Sequence, residues 1–397
     1  MSEAAAQAGR TYGVIVLPTV PEAGRQVAGL DPVLRHCLAL QTAGVSRIHL
    51  VGAATPAPRD ARLQVEVIAG LPVDASAEDR FVVLHADWST HRALPGRMAG
   101  LELPADAVVG LSGERIEGPG IFVTRASRLP SLTEQLLAQG SPEAETVAAR
   151  PGEFVVAART AAECRAALPL HLRSLIKAEG GLFDRKIYRH FSLQLTRLLL
   201  PTPVTPNAVT WLSFFLAIGG AFLIAGADTT LQIAGIAMVF AVRIVDCVDG
   251  ELARIRYEGS AFGQFLDTVT DGIGVASLMA AVTYRARDLE PTWIYVGVAG
   301  VALYLLVELL QLALARNATG GSSIQDVEWA FLKDDATGVE RFIGLIHNFI
   351  RIDFIVPFYL TLIALGQLQA LLVIHLIAST GGALYLATQL PAKLSAR

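Results

Sequence analysis

The sequence predicts a two-part protein, in which a soluble α/β domain precedes an α-helical membrane domain of six spanning helices. Residues 1–170 alternate short apolar runs with segments of helical periodicity, which is typical of a parallel sheet with crossover helices. From about residue 205 onward long apolar runs dominate, and roughly 20 apolar residues are enough to span a bilayer. We therefore expect a soluble domain at 1–170, a juxtamembrane helix and linker at 171–204, and a transmembrane domain at 205–397.

The soluble domain is predicted to contain a largely parallel sheet. The segment PVLRHCLALQTAGV has helical periodicity and ends near Gly44, and residues 129–149 and 159–178 are predicted to be helices that lead out of the domain. Strands that alternate with helices favour βαβ units. The predicted strands are the short apolar runs YGVIVLP, RIHLVGA, LQVEVIAG, RFVVLHAD and GIFVTRA.

The composition argues against several classes of partner and site. A formal net charge of -4 gives no reason to expect a nucleic acid as a partner. The cysteines Cys37, Cys164 and Cys247 are too few and too scattered for a disulfide framework or a zinc site, which favours a reduced, cytoplasmic environment for the soluble domain. The first residues lack a basic segment followed by an apolar one, so we expect no signal peptide.

The segment Leu182–Leu200 is predicted to be an amphipathic helix. Its sequence, LFDRKIYRHFSLQLTRLLL, places basic residues among apolar ones at near-helical spacing. This pattern is typical of a helix that lies at the membrane surface, and a plain solvent-facing helix is the alternative. The prolines of PTPVTPN then end the helix.

Six apolar segments predict the membrane-spanning helices. An even number of spans places both chain termini on one side of the bilayer, and the loops on that side carry most of the Lys and Arg. The positive-inside rule therefore predicts a multi-pass protein of the cell membrane whose N-terminal domain lies on the cytoplasmic side. We place the six segments at 207–227, 229–252, 262–285, 291–315, 340–366 and 368–390.

Four aspartates lie beside the second and third of these segments. Carboxylates are costly in such segments and are therefore usually functional. The spacings of three and four residues put each pair on one helix face, and the orientation above puts all four near the cytoplasm. Four acids close together favour hard cations such as Mg²⁺ or Mn²⁺, with Ca²⁺ as an alternative, and two ions could be bridged. The full pattern is Asp246-x2-Asp249-Gly250-x2-Ala253-Arg254-x8-Gly263-x3-Asp267-x3-Asp271.

A metal site beside Arg254 at a membrane surface indicates a phosphate-containing substrate. A divalent ion neutralises charge on phosphate oxygens, and one carboxylate could take the proton of an attacking hydroxyl. The small residues of the motif would let a helix or a nucleotide approach the backbone closely. Two other interpretations are helix-packing glycines with incidental surface acids, and a non-enzymatic divalent-cation transporter or scaffold, because membrane acids also line ion paths.

The aspartate pattern resembles the signature of the CDP-alcohol phosphotransferase family, also called CDP-alcohol phosphatidyltransferases. All eight fixed positions match, and the resemblance extends over about residues 180–395. The segment PVTPNAVTWLS, residues 203–213, is similar to the Pro-Asn-containing start of the family's first span and brings Asn207 into the candidate site. The resemblance implies the six-helix fold and a homodimer.

The resemblance also implies roles for the matching residues. Asp246, Asp249 and Asp267 would hold Mg²⁺ or Mn²⁺, and Asp271 would share that duty or act as the catalytic base. The implied reaction moves a phospho-alcohol group from a CDP-linked donor to an acceptor hydroxyl and releases CMP. The CDP site would be shaped by Gly250, Ala253, Arg254, Gly263 and Asn207.

Relatives that act on phosphorylated alcohols use additional basic residues. Arg351 lies inside an apolar segment and could bind an acceptor phosphate bidentately, although a structural pair with Asp353 or Glu308 is an equal alternative. We select Arg351, Lys177 and Arg189 as acceptor residues from a wider set of Lys177, Arg185, Arg189, Arg243, Arg341 and Arg351.

The soluble domain resembles a sugar-phosphate nucleotidyltransferase, which has a Rossmann-like α/β fold. Asp87 falls where those enzymes carry a metal-binding aspartate. The loop LPTVPEAGRQVAG departs from their Gly-rich pattern, since Pro18 and Pro21 replace glycine and alanine. Asp31-Pro32-Val33 also stands in place of a Pro-Lys-Pro sequence. We therefore predict a degenerate domain, in which Arg25 is a relic and cytidylyltransferase activity is lost.

The arrangement of the two domains is similar to that of bifunctional proteins that make CDP-inositol and condense it with inositol phosphate. This resemblance implies a phosphoinositol-type product with an inositol phosphate acceptor. The alternative within the same family is a phospholipid synthase of the phosphatidylglycerophosphate or phosphatidylinositol phosphate type, which uses CDP-diacylglycerol.

Overall fold

The computed structural model describes residues 9–20, 22, 24–53, 56–176, 183–319 and 352–394. The chain folds as two compact units. One comprises Met1–Leu175 with Ile255–Tyr257, and the other comprises Ile176–Arg254 with Glu258–Arg397. Each unit has its own hydrophobic core.

The first unit is an α/β domain with a mixed sheet. Seven strands form one sheet in the order β3-β2-β1-β4-β7-β6-β8, and β5 pairs with β9 in a separate two-stranded sheet. The strands are β1 (Thr11–Leu17), β2 (Arg47–Gly52), β3 (Glu66–Ala69), β4 (Arg80–His85), β5 (Trp88–Thr90), β6 (Val108–Ser112), β7 (Ile121–Arg125), β8 (Glu145–Ala148) and β9 (Val155–Ala157).

The central strands are parallel, as the sequence predicts. Strand β1 pairs in parallel with β2 and β4, and β2 pairs in parallel with β3. Strand β7, which the sequence also predicts, runs antiparallel to both β4 and β6. The apolar run GIFVTRA marks a buried strand without fixing its direction, because both faces of the sheet are covered and the side-chain pattern is the same in either direction.

Helices cover both faces of this sheet. Helices α1 (Pro32–Thr42) and α2 (Leu94–Ala99) lie on one face and α3 (Leu129–Leu137) lies on the other, while α4 (Ala161–Arg173) packs against β9. One core contains Ile15 and Leu17 with residues of α1 and α2, and the other contains Val14 and Val16 with residues of α3. Successive side chains of β1 therefore enter opposite cores, as the period of a strand requires.

The predicted helices at 129–149 and 159–178 are too long. Helix α3 ends at Leu137, and Glu145–Ala148 form β8 in parallel with β6. Gly140 and Pro142 follow the helix end, and a proline removes a backbone donor and pushes the preceding residue towards extended structure. Helix α4 ends at Arg173. Strand β6, helix α2 and the β5–β9 pair carry too short a periodic pattern to be predicted.

The second unit is helical. It contains a π-helical turn at Asp184–Tyr188, followed by α5 (Arg189–Leu199), α6 (Pro206–Ala225), α7 (Thr229–Ile255), α8 (Ala261–Ala286), α9 (Thr292–Thr319), α10 (Ile352–Ala364) and α11 (Leu368–Leu394). The amphipathic segment is thus helical as predicted, with a π-helical first turn, and α5 ends two residues before Pro201.

Among the described residues, five helices of this unit are long and apolar enough to cross a membrane: α6, α7, α8, α9 and α11. The predicted fifth segment, at 340–366, lies partly outside the described residues, and its described part forms the shorter apolar helix α10. The number of six spans therefore stays a prediction.

Helices α6 and α7 approach each other closely at a pair of glycines. A Cβ placed on Gly235 would lie 2.6 Å from the carbonyl oxygen of Gly220 and 2.9 Å from Cγ1 of Ile224. Small residues at such crossings let membrane helices pack backbone to backbone. Helix α8 packs against α6 and α9. This packing brings the start of α6, the end of α7 and the start of α8 together.

Candidate active site

An acidic cluster forms where α7 and α8 face each other. Asp246 of α7 and Asp267 and Asp271 of α8 each contribute a carboxylate oxygen, and these three oxygens lie within 4.8 Å of one another. All three side chains are partly buried. The structure thus brings together three of the four aspartates that the sequence analysis selects.

The local sequence explains this alignment. Ser260 caps α8 and accepts a hydrogen bond from the backbone N–H of Gly263 at 3.0 Å, so the helix is regular from its first turn. Asp267 and Asp271 are four residues apart in this helix and therefore share a face.

Asp249 lies outside the group of three and is held by α6. The hydroxyl of Thr210 donates a hydrogen bond to Oδ2 of Asp249 at 2.6 Å, and both residues are buried. The sequence analysis does not select Thr210. The signal was available, because Thr210 follows Asn207 by three residues at the start of α6 and so lies on the same helix face.

Arg243 forms ion pairs with two of the clustered carboxylates. Its Nη1 lies 3.1 Å from Oδ1 of Asp271, and its Nη2 lies 3.3 Å from Oδ2 of Asp246. The sequence analysis names Arg243 only among the wider set of acceptor candidates. The structure instead places its guanidinium against the aspartates, where it offsets part of their mutual repulsion.

The residues selected for the CDP site lie around the same helix ends. A Cβ on Gly263 would lie 3.0 Å from Oδ1 of Asn207, and a Cβ on Gly250 would lie 3.1 Å from Nη1 of Arg254. The side chains of Asn207 and Arg254 therefore lie directly over glycine backbone. Ala253 is half-buried in the last turns of α7.

Glu251 joins the helical end of α7 to α5 and was missed by sequence reasoning. This carboxylate is fully buried and accepts hydrogen bonds from Arg189 Nη1 at 2.7 Å, Ser192 Oγ at 2.6 Å and Thr196 Oγ1 at 2.5 Å. Nε of Arg189 also lies 3.1 Å from Oδ1 of Asp184. The signal was the spacing 189, 192 and 196, which puts three polar residues on one face of α5.

The remaining basic candidates for the acceptor site differ in where they lie in the chain. Lys177, Arg341 and Arg351 lie outside the described residues, and Arg185 belongs to the π-helical turn. Arg189 is directed to the carboxylates of Glu251 and Asp184. The acceptor roles of Lys177, Arg351 and Arg189 therefore stay predictions.

The acidic cluster fits a divalent metal. Its donor set consists of carboxylate oxygens from two helices, and hard cations such as Mg²⁺ and Mn²⁺ prefer such ligands. Three carboxylates this close also need a positive charge beyond that of Arg243, because their mutual repulsion is strong where the dielectric constant is low.

The α/β unit places Arg25 against Asp87. Nη1 of Arg25 lies 2.9 Å from Oδ1 of Asp87, and the two side chains are 2% and 9% exposed. Arg25 also donates to the carbonyl oxygens of Ala86 and Arg159 at 3.3 and 3.4 Å. Burial lowers the pKa of His85, whose Nδ1 accepts the backbone N–H of Asp87 at 3.2 Å.

Most of the helical unit is similar to a known protein family. Residues 203–379 match the sequence model of the family described as CDP-alcohol phosphatidyltransferase. This match contains all four aspartates. The helical part of the chain is thus similar to CDP-alcohol phosphatidyltransferases, and its described residues include five candidate membrane spans.

Three known proteins are similar to parts of this chain. The "Bifunctional IPC transferase and DIPP synthase" of Thermococcus kodakarensis is 32% identical over 139 residues, which are 35% of this chain and 31% of that protein. The protein of the same name from Rubrobacter xylanophilus is 36% identical over 139 residues, 34% of this chain and 31% of that protein. The "Phosphatidylinositol phosphate synthase" of Corynebacterium glutamicum is 32% identical over 104 residues, 26% of this chain and 47% of that protein. The chain thus spans less than half the length of each relative.

Proposed function

We propose that this protein is an integral-membrane, divalent-metal-dependent CDP-alcohol phosphotransferase. It would move a phospho-alcohol group from a CDP-linked donor to an acceptor hydroxyl and release CMP. The observation that carries the proposal is the cluster of Asp246, Asp267 and Asp271 within residues that match a family of such transferases.

Asp246, Asp267 and Asp271 would hold Mg²⁺ or Mn²⁺, and Asp249 would complete the set for a second ion. The bound metal would supply positive charge against the pyrophosphate oxygens. Thr210 donates a hydrogen bond to Oδ2 of Asp249 and so fixes the orientation of this carboxylate.

The other side chains would orient the donor and move the proton. Arg254 and Asn207 would bind and orient the CDP group beside Gly250 and Gly263, with Ala253 leaving room for it. Asp271 would accept the proton from the acceptor hydroxyl. The acceptor oxygen then forms a bond to the phosphorus that carries the donor alcohol, the bond from that phosphorus to the CMP oxygen breaks, and CMP leaves.

The substrate we propose is of the phosphoinositol type, with an inositol phosphate as acceptor. The names of two relatives as bifunctional IPC transferase and DIPP synthase support this choice. A phospholipid synthase that uses CDP-diacylglycerol is the second candidate, and the phosphatidylinositol phosphate synthase relative favours it. Lys177, Arg351 and Arg189 are the proposed acceptor residues for either substrate.

The proposed arrangement is a six-helix membrane domain whose active site lies on the cytoplasmic side. The domain boundaries we propose are 1–170, 171–204 and 205–397, with the first domain Rossmann-like and a homodimer as the assembly. The Arg-Asp pair in the soluble domain supports loss of its cytidylyltransferase activity, because Arg25 already satisfies the carboxylate of Asp87 that a metal would need.

The test is CMP release by the purified full-length protein with Mg²⁺. Two substrate pairs separate the candidates: CDP-inositol with inositol phosphate, and CDP-diacylglycerol with inositol phosphate. We expect Asp267→Asn and Asp271→Asn to lower kcat at least about 100-fold, because a bound metal supplies several kcal/mol of transition-state stabilisation.

Asp288→Asn is the matched control, since Asp288 is an exposed aspartate just beyond the other end of α8 and should leave kcat unchanged. Full activity of the Asp267 and Asp271 variants would refute the assigned roles. Metal flux into liposomes without CMP release from any donor would instead favour the transporter class.

A further inference from the structure

The π-helical turn and α5 lie along the helix that carries the first half of the aspartate motif. The ring of Tyr188 packs against Phe240 of α7 with ring centroids 5.7 Å apart. Four residues before Tyr188, Oδ1 of Asp184 lies 3.5 Å from Sγ of Cys247 of α7. Glu251 then contacts α5 itself. These contact points lie between Phe240 and Glu251, over about three turns of α7.

The carboxylate of Glu251 could not stay buried in this interface without its hydrogen-bond partners. A buried carboxylate is costly unless it is paired and hydrogen-bonded. Both oxygens of Glu251 are satisfied, one by Arg189 and Ser192 and the other by Thr196. Ser192 and Thr196 are themselves fully buried.

The opposite side of α5 has a different character. Phe191 and Leu198 are exposed, at 52% and 70% of their surface. The hydroxyls and the guanidinium of α5 thus point into the protein while these large apolar side chains point out. Because the inward polar groups converge on one carboxylate, the orientation of α5 depends on Glu251.

Glu251 also lies within the motif. It follows Asp249 and Gly250 directly and precedes Arg254 by three residues in α7. A rotation or slide of α7 would therefore displace all of these residues relative to the aspartates of α8. A displacement of about 1 Å in reacting groups can cost roughly 100-fold in rate.

We propose that Glu251 is a positioning residue for the transfer reaction. Through Arg189, Ser192 and Thr196 it fixes α7 against the juxtamembrane helix, so that Asp246 keeps its place beside Asp267 and Asp271. This inference rests on the proposed function, and it gives Arg189 a structural role on Glu251 and Asp184 in place of acceptor binding.

The experiment compares Glu251→Ala with Glu251→Gln in the full-length protein. Glutamine has the same shape, and its amide oxygen still accepts hydrogen bonds from Arg189 and Ser192. Arg189 also keeps its second partner, Asp184, so its charge is not left alone in the interior. Three quantities are measured: kcat and KM for CMP release, the dissociation constant for Mn²⁺ by electron paramagnetic resonance, and the midpoint of thermal unfolding.

We expect Glu251→Ala to lower kcat about 10- to 100-fold per folded molecule and to weaken Mn²⁺ binding about tenfold, the range seen when a supporting residue is removed. The KM for the donor should change less than kcat. Glu251→Gln should stay within about threefold of the wild type for both quantities, because Arg189 and Ser192 still donate to the amide oxygen and the amide N–H donates to the hydroxyl of Thr196. Arg197→Ala is the control, since Arg197 is an exposed arginine on the same helix.

Where Glu251→Ala does not fold, the milder pair Ser192→Ala with Thr196→Val replaces it, and its kcat and Mn²⁺ affinity should fall by about 3- to 10-fold. Wild-type kcat and Mn²⁺ affinity in the folded variants would overturn the proposal, and so would equal losses in the Ala and Gln variants. A wild type that releases no CMP from any donor would refute the proposed function, while Mn²⁺ affinity would still decide the role of Glu251.

Discussion

At the scale of single residues, the site is a balance of charges between two helices. Three carboxylate oxygens lie within 4.8 Å of one another, and the guanidinium of Arg243 contacts two of the three side chains. We expect Arg243 and a divalent cation to compete for the carboxylates that Arg243 contacts. The arginine therefore contributes most to stability when no metal is bound.

Replacement of this arginine tests that balance. We expect Arg243→Gln to lower the midpoint of thermal unfolding in EDTA, because repulsion among the aspartates is no longer offset. Added Mn²⁺ should then raise the midpoint more than it does in the wild type, since metal binding stabilises the folded state in proportion to its affinity. Thermal unfolding with EDTA and with Mn²⁺ measures both effects.

Arg287→Gln serves as the control, because Arg287 pairs with the exposed Asp288 outside the cluster. An equal Mn²⁺-induced rise in Arg243→Gln and in the wild type would contradict the competition between arginine and metal.

At the scale of helices and strands, the sequence predicts best those elements that have a long periodic pattern of apolar residues. That Asp267 and Asp271 share one helix face follows from helical spacing alone, whereas their approach to Asp246 depends on how α7 packs against α8. Thr210 and Glu251 could not be placed, because their partners depend on how α6 and α5 pack against α7. The helix predicted at 129–149 was too long for a local reason, because the prediction included Gly140 and Pro142, which disfavour a helix.

The glycine crossing of α6 and α7 offers a test of packing. In Gly235→Ala the new methyl group would meet the carbonyl oxygen of Gly220 and the backbone nitrogen of Ile224, at 2.6 and 3.0 Å. Backbone atoms cannot rotate away, so the helices must separate, at a cost of about 1–3 kcal/mol. We expect lower thermal stability and lower kcat, because Thr210 would move away from Asp249.

Gly381→Ala is the matched control, since nothing lies within 4 Å of a Cβ at that position in α11. This variant should be neutral or more stable, by up to about 1 kcal/mol, because alanine favours a helix over glycine. Equal unfolding midpoints for the two variants would show that the crossing is not close-packed.

At the scale of the whole molecule, the chain combines a helical unit that matches a transferase family over residues 203–379 with an α/β unit of a different fold. The parallel direction of its central strands could be anticipated from apolar runs that alternate with helices, because parallel strands need crossover connections. The antiparallel β7 could not, since its neighbours β4 and β6 are selected by tertiary packing. The Arg25–Asp87 contact likewise joins residues 62 positions apart.

Whether the N-terminal α/β unit has lost cytidylyltransferase activity can be tested by changing its buried ion pair. We expect Asp87→Asn to lower the free energy of unfolding by about 3–5 kcal/mol, because it leaves Arg25 as an uncompensated buried charge. The double variant Arg25→Met with Asp87→Asn should recover much of that loss. CMP release should be unchanged in both folded variants, and the wild type should not make a CDP-alcohol from CTP. Cytidylyl transfer by the wild type that Asp87→Asn abolishes would instead show a working metal aspartate at this position.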